Sequence, residues 1–326
     1  MATSKTLETK KAYASRAEML RRQAAKQYGI EIPSQVPMTL VVEHLLAKKD
    51  RLAANTWRQY RAALSYAIEQ ELSITPDTVE LEELQAAHRQ LARESGYGTN
   101  KKGNSTSSNK LKSIKQNDFD IISDYLRSQI GNHQYALALL TWMQAGEATG
   151  LRPSEWESAQ IIELDGHTAL KIENAKHTNG RGNGSHRHLI LDALEPEKVN
   201  AIKDMIFMLD GFSREMSFKS FYDGVRSYNY SAVRTALGKR AKYPTLYTYR
   251  HQFTANCKAS NLSRKEVAAL LGQASDATAP LHYGRKQQGR KGATKVKPLA
   301  SEVETVREKH NQFNIAEYKK VSGIKK

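Results

Sequence analysis

The hydrophobic pattern of this chain changes period at only one clear place. Residues 168–173 (TALKIE) and 187–192 (RHLILD) read as strands, and the segment between them, NAKHTNGRGNGSH, has the glycines and asparagines that suit a hairpin loop. Elsewhere the long periodic stretches have helical spacing. One small sheet among many helices makes the fold mainly α with a small β-sheet, an α+β class.

Helices are predicted over 7–27, from an N-cap at Thr39 through VVEHLLAKK, over 53–72 and over 81–95. They make a compact α-helical domain of residues 1–95. In its third helix Trp57, Tyr60, Leu64, Ala67 and Ile68 share one face and read as core, with Arg58 and Arg61 elsewhere on a solvated face. Residues 96–116 read as an interdomain linker. From Ser95 to Gln116 there are three glycines, a Ser/Thr/Asn cluster, five lysines and no acid. The lysines, Lys101, Lys102, Lys110, Lys112 and Lys115, suit a phosphate backbone, and a plain solvated tether is the alternative.

The second domain is predicted over 117–299. Asn117 caps a helix to residue 129, and an apolar helix over 133–148 ends at Gly150. Helices over 195–212 and 219–240 follow the hairpin. Ser263 and Glu266 then form a capping box, with Gly272 as the stop. After it, GRKQQGRKGATKVKPLA (284–300) carries six basic residues, Arg285 first, and no acid. Residues 300–326 form a C-terminal helix and tail, opened by a second capping box at Ser301 and Glu304.

Charge decides the class of partner. The net charge is +16 and the pI about 9.7, which favours a polyanion whose condensed counterions are released on binding. A generally basic protein and an anionic membrane surface are weaker readings. No run approaches the ~18–20 apolar residues of a membrane span, and the N-terminus lacks the apolar core of a secretory signal. The single cysteine, Cys257, excludes an intramolecular disulfide and reads as a small helix residue. The expected location is cytoplasmic, associated with the nucleoid.

Four segments hold candidate reactive groups: Arg152 in ATGLRPSE, Lys176 in the hairpin loop, Arg250 in YRHQF, and Tyr283 beyond LLGQ. Singly, arginines and lysines are mostly solvated and tyrosines mostly fill space. Together they suit phosphoryl transfer to a phenol. Two guanidinium groups can hold the non-bridging oxygens, and a lysine can protonate the leaving oxygen. The sequence has no HExxH motif and no Cys/His cluster, so neither metal nor cofactor is expected.

The pieces TGLRPSE, YRHQF, LLGQ and the following tyrosine, in this order after a helical domain, resemble the tyrosine recombinase (phage integrase) family. The likeness covers residues 117–290 by motif and the N-terminal domain by architecture. It implies a helical core-binding domain followed by a mixed catalytic domain, with double-stranded DNA as substrate. In the implied reaction Tyr283 attacks the scissile phosphate, forms a 3′-phosphotyrosyl bond and frees a 5′-hydroxyl. Arg152 and Arg250 would bind the phosphate, Lys176 would act as general acid with Lys171 as a weaker rival, and Glu155 would orient an arginine. The resemblance also implies a homo-tetramer on paired DNA sites, with the C-terminal helix as a docking element. An accessory DNA-bending protein is a further partner it leaves open.

Two positions depart from the family pattern. Tyr247 stands three residues before Arg250, where histidine is common, and Gln273 follows LLG, where histidine or tryptophan is common. Both can hydrogen-bond a phosphate without serving as an imidazole. His251 and His282 lie beside Arg250 and Tyr283 and could compensate. The spacing from Gln273 to Tyr283 is one residue longer than is typical. The expected function is a site-specific DNA recombinase serving integration, excision or transposon strand exchange. The alternatives are a type IB topoisomerase-like nicking-closing enzyme and a catalytically weakened sequence-specific DNA-binding protein.

Overall fold

A computed structural model describes residues 5–74, 79–100, 111–175, 177 and 182–309, with Leu281 and His282 described by backbone alone. The chain divides into two compact units, Met1–Ser105 and Thr106–Lys326.

The first unit contains α1 (Leu7–Tyr28), α2 (Met38–Ala47), α3 (Ala54–Leu72) and α4 (Val79–Arg93). Thr6 accepts the Thr9 amide at the start of α1, and Gly29, at φ 69°, ends it in the left-handed conformation that glycine adopts without strain. Leu20, Val41, Val42, Leu45, Trp57, Leu64, Ile68 and Leu91 fill its core. Trp57 is buried there as its helical spacing predicts, while Tyr60 packs at the edge. Two expectations need correction. Pro37, not Thr39, precedes α2, because its fixed φ of −57° sets the helix entry. Arg61, expected on a solvated face, is half-buried, because its guanidinium donates to the Glu94 carbonyl.

The second unit begins with α5 (Gln116–Gln129) and α6 (Ala136–Thr149). Lys115, not Asn117, stands at the α5 N-cap. Residues 111–115, expected in the linker, are pinned to this unit. The Ile114 amide donates to Gln252 Oε1 at 2.9 Å, and the Leu111 carbonyl accepts from Thr248 Oγ1 at 3.1 Å. After a 3-10 turn over Pro153–Ser158 come β1 (Gln160–Leu164), β2 (His167–Glu173) and β3 (His186–Ile190). They are followed by α7 (Pro196–Ser213), α8 (Phe218–Leu237), α9 (Leu246–Ala259), α10 (Arg264–Leu270), α11 (Thr278–His282), β4 (Lys297–Pro298) and α12 (Ala300–Glu304).

Among the described residues the sheet has four antiparallel strands in the order β1-β2-β3-β4, two more than the period change revealed. β1 joins β2 through Asp165 and Gly166, at φ 52° and 78°, a two-residue turn whose sign matches the twist of the strands. β4 escapes detection because two residues carry no period. Lys171 sits within β2 opposite His188.

The core of this unit lies around α6 and α9. α6 is buried on nearly all sides, through Leu139, Leu140, Trp142 and Met143 among others. It ends at Gly150, φ 65°, where a Cβ would lie 2.2 Å from the Phe253 ring. α9 buries Tyr249 and Phe253 and also Thr248, Arg250, Gln252, Thr254 and Asn256. A buried helix this rich in polar groups needs partners for them, and it finds many at the site described next.

The C-terminal segment returns to its own unit. α12 is only five residues long and starts after Leu299, so the predicted capping box at Ser301 does not open a long helix within the described residues. Glu302 pairs with His188 at 2.8 Å, Asn183 donates to the Glu302 carbonyl, and Val306 packs on Ala268 and Ala269. Among the described residues no helix is long and apolar enough to cross a membrane.

Candidate active site

Three arginines converge on one carboxylate. Arg152 leaves α6 through Gly150 and Leu151, and Pro153 starts the turn that brings Glu155 back over it. The Arg152 amide and Nη1 donate to Glu155 at 2.7 and 2.5 Å. Arg187 Nη2, from β3, donates to Glu155 Oε2 at 2.8 Å, and Arg250 Nη1 lies 3.5 Å from the same oxygen. Glu155 is wholly buried. Burial would push its carboxyl up, but Arg187, Arg250 and Arg152 together hold it well below the usual carboxylate range.

Arg250 is fixed by carbonyls as well as by charge. Its Nη1 donates to the Gly150 carbonyl at 2.5 Å and its Nη2 to the Leu271 carbonyl at 2.9 Å. Its Nε points at Tyr283 Oη, 3.3 Å away. This one side chain therefore joins the end of α6, the end of α10 and the tyrosine after α11. A guanidinium has five N–H donors in a plane, so a partly occupied one can still face a phosphate.

Tyr283 also meets Tyr247, with 3.1 Å between the phenol oxygens, and the His251 ring lies 5.1 Å from its own. Burial would raise the Tyr283 phenol, but Arg250, the hydrogen bond from Tyr247 and Arg152 bring it down to about 8. Tyr247 goes the other way, pushed up to about 12 chiefly by burial. The loop carrying Tyr283 is clamped to α9. Lys258 Nζ donates to the Ala279 and Gly284 carbonyls at 2.9 and 2.7 Å, and a Cβ on Gly284 would meet the His251 carbonyl at 2.6 Å.

Gln273 is almost fully buried, and neither Oε1 nor Nε2 of its amide has a hydrogen-bond partner among the described residues. Two residues earlier, Leu271 holds Arg250 through its carbonyl. An unpaired buried amide is costly, about 1–3 kcal/mol, and such a group beside a cationic cluster suits an anionic ligand.

The fold thus brings together Arg152, Glu155, Tyr247, Arg250, His251 and Tyr283, with Gln273 just beyond Leu271. Lys176 lies outside the described residues, as do Lys101, Lys102 and Lys110 and the side chain of His282. Lys115 and Arg285 are exposed, and Lys112 is half-buried. Cys257 is buried, its thiol pushed up to about 12 by burial, and has no part in the site.

Arg187 is the residue that sequence reasoning missed. It is fully buried and also donates to the Leu270 carbonyl at 2.9 Å and to Asn174 Oδ1 at 2.6 Å. The signal was present, since Arg187 and Leu189 occupy the inward positions of β3 and a cation at such a position needs a buried anion. Arg290, also unassigned, pairs with Glu147 and donates to the Ile114 carbonyl, fastening the segment beyond Tyr283 to α6.

No protein-family model and no curated protein matches the chain. Among solved structures, it is similar to XerH site-specific recombinase bound to palindromic difH substrate in a post-cleavage complex. That likeness has 14% identity and a TM-score of 0.48, over 82% of this chain and 74% of that one. It is also similar to a lambda integrase tetramer bound to a Holliday junction, at 16% identity and a TM-score of 0.47, over 86% and 78%. A lambda integrase dimer bound to a COC′ core site gives 16% identity and a TM-score of 0.49, over 81% and 69%.

Proposed function

We propose that this chain is a site-specific DNA recombinase that cuts and rejoins duplex DNA through a 3′-phosphotyrosine intermediate. The observation that carries the reading is the meeting of Tyr283 Oη with Arg250 Nε at 3.3 Å, beside an Arg152 that shares Glu155 with Arg250. A phenol and two fixed guanidinium groups are the parts that phosphoryl transfer to tyrosine requires.

In this reading Arg152 and Arg250 hold the non-bridging oxygens of the scissile phosphate, and the Gln273 amide adds a neutral donor. Tyr283 Oη attacks phosphorus, the bond to the 5′ oxygen breaks, and Lys176 supplies a proton to that leaving oxygen. A 5′-hydroxyl from the partner duplex then attacks the phosphotyrosyl bond and restores Tyr283, with no need for ATP. Glu155 touches no DNA and keeps the arginines apart and oriented. The linker lysines and Arg285 follow the phosphate backbone, for which the net charge of +16 is suited. Four protomers assemble on paired sites, with residues beyond 309 as the proposed docking segment.

The test is covalent trapping on a pool of nicked duplexes tiled across the DNA beside the coding gene. A detergent-resistant protein–DNA complex is expected with the natural chain and absent with Tyr283→Phe. A complex that survives Tyr283→Phe, or none across the whole pool, would overturn the proposal. Plasmids carrying one or two trapped sites then separate strand exchange from simple relaxation of supercoils.

A further inference from the structure

The site contains two phenols within hydrogen-bond distance. Tyr247 and Tyr283 lie on α9 and just after α11, their oxygens 3.1 Å apart and their rings at 28°. A single proton lies between two such oxygens, and their surroundings decide which one keeps it. Arg250 Nε can only donate, and it is directed at Tyr283 Oη. The Arg250 guanidinium carbon also lies 5.3 Å from the centre of the Tyr283 ring. Among the described residues no cation is hydrogen-bonded to Tyr247 Oη. Negative charge is therefore favoured on Tyr283 and not on its neighbour.

We infer that Tyr247 keeps its proton and donates it in a hydrogen bond to Tyr283, so that a phenol pair with Arg250, in place of an imidazole, readies the nucleophile. The inference rests on the reading of Tyr283 as the nucleophile and assigns Tyr247 a tuning role with no attack of its own. The proton balance is simple. The Tyr283 O–H bond breaks and that proton goes to water, while the Tyr247 proton remains on Tyr247. The opposite displacements of the two phenols, Tyr283 down to about 8 and Tyr247 up to about 12, agree with this polarity.

Among the described residues, few other charged and titratable groups surround Tyr283. α9 presents Arg250 and also His251, whose ring lies 5.1 Å away at a tilt. The turn after α6 presents Arg152, which acts on Tyr283 through its charge. Lys258 spends its donors on the Ala279 and Gly284 carbonyls and positions the loop. The side chain of His282 is outside the described atoms.

The test needs no DNA. Tyrosinate absorbance of the full chain is followed from about pH 7 to about pH 9.5 for the natural protein, Tyr247→Phe, Tyr247→His and Tyr283→Phe. The natural chain should form one tyrosinate near pH 8, and Tyr283→Phe should remove it. Tyr247→Phe should move that titration up by roughly one pH unit or more, because the donor to the phenolate is gone. Tyr247→His restores an N–H donor and should recover part of the shift, which a merely structural role for Tyr247 would not do. An early tyrosinate that survives Tyr283→Phe, one unmoved in both Tyr247 variants, or none at all in the natural chain would overturn the inference. Failure of covalent trapping alongside the expected titration would count against the nucleophile reading alone.

Discussion

At the scale of single residues, the site depends on how much charge one carboxylate can hold together. Glu155 is buried among Arg152, Arg187 and Arg250, and its removal would leave three cations competing for the same space. Glu155→Gln keeps the shape and removes the charge, so it should destabilise the folded chain by about 3–5 kcal/mol, read as a lowered urea midpoint at neutral pH. The pH dependence has a definite sign. The folded carboxyl is depressed below its ordinary 4.5, so its contribution is present above that pH and lost as pH falls. The natural chain should therefore lose stability on acidification more steeply than Glu155→Gln, and equal slopes would show that the carboxylate is not held by the arginines. Arg152, Arg250 and Tyr283 were legible from motif order alone. Arg187 was not, because its meaning depends on a partner 32 residues away that only the fold brings near.

At the scale of elements, α6 and α9 approach so closely that glycine is required where they meet. Gly150 has φ 65°, and an added methyl would lie 2.2 Å from the Phe253 ring. Gly150→Ala should cost roughly 2–4 kcal/mol in denaturant unfolding, the sum of left-handed backbone strain and overpacking. If the proposed reaction holds, it should also weaken DNA cleavage, since the Gly150 carbonyl holds Arg250. A loss well under 1 kcal/mol would mean that the two helices can part freely. Most helices were visible from periodicity and caps, within a few residues at each end. α9 was not, because it buries polar and apolar residues alike and leaves no clean apolar stripe, and neither was the five-residue α11. The sheet was half visible. β2 and β3 have enough alternation to be seen, and the Asp165–Gly166 turn was a sequence signal for β1 that went unread. β4 pairs only Lys297 and Pro298 with β3, which no local pattern can announce.

At the scale of the whole molecule, the chain places a strongly basic composition and a cationic, phenol-bearing site in one polypeptide of two units. Every named group of the site lies in the second unit, on elements drawn from residues 150 to 283. The segment beyond Tyr283 returns through Arg290, β4 and α12 to the same unit, so the described chain supplies its own tyrosine to its own arginines. Under the proposed function, Tyr283 becomes covalently attached to a DNA 3′ end. The most direct measurement is mass spectrometry of the peptide released by proteolysis of trapped protein–DNA complex. A nucleotide joined through its 3′-phosphate to Tyr283, with a free 5′-hydroxyl on the complementary product, is the result predicted. A nucleotide on Tyr247 or any other residue, or one joined through a 5′-phosphate, would contradict it.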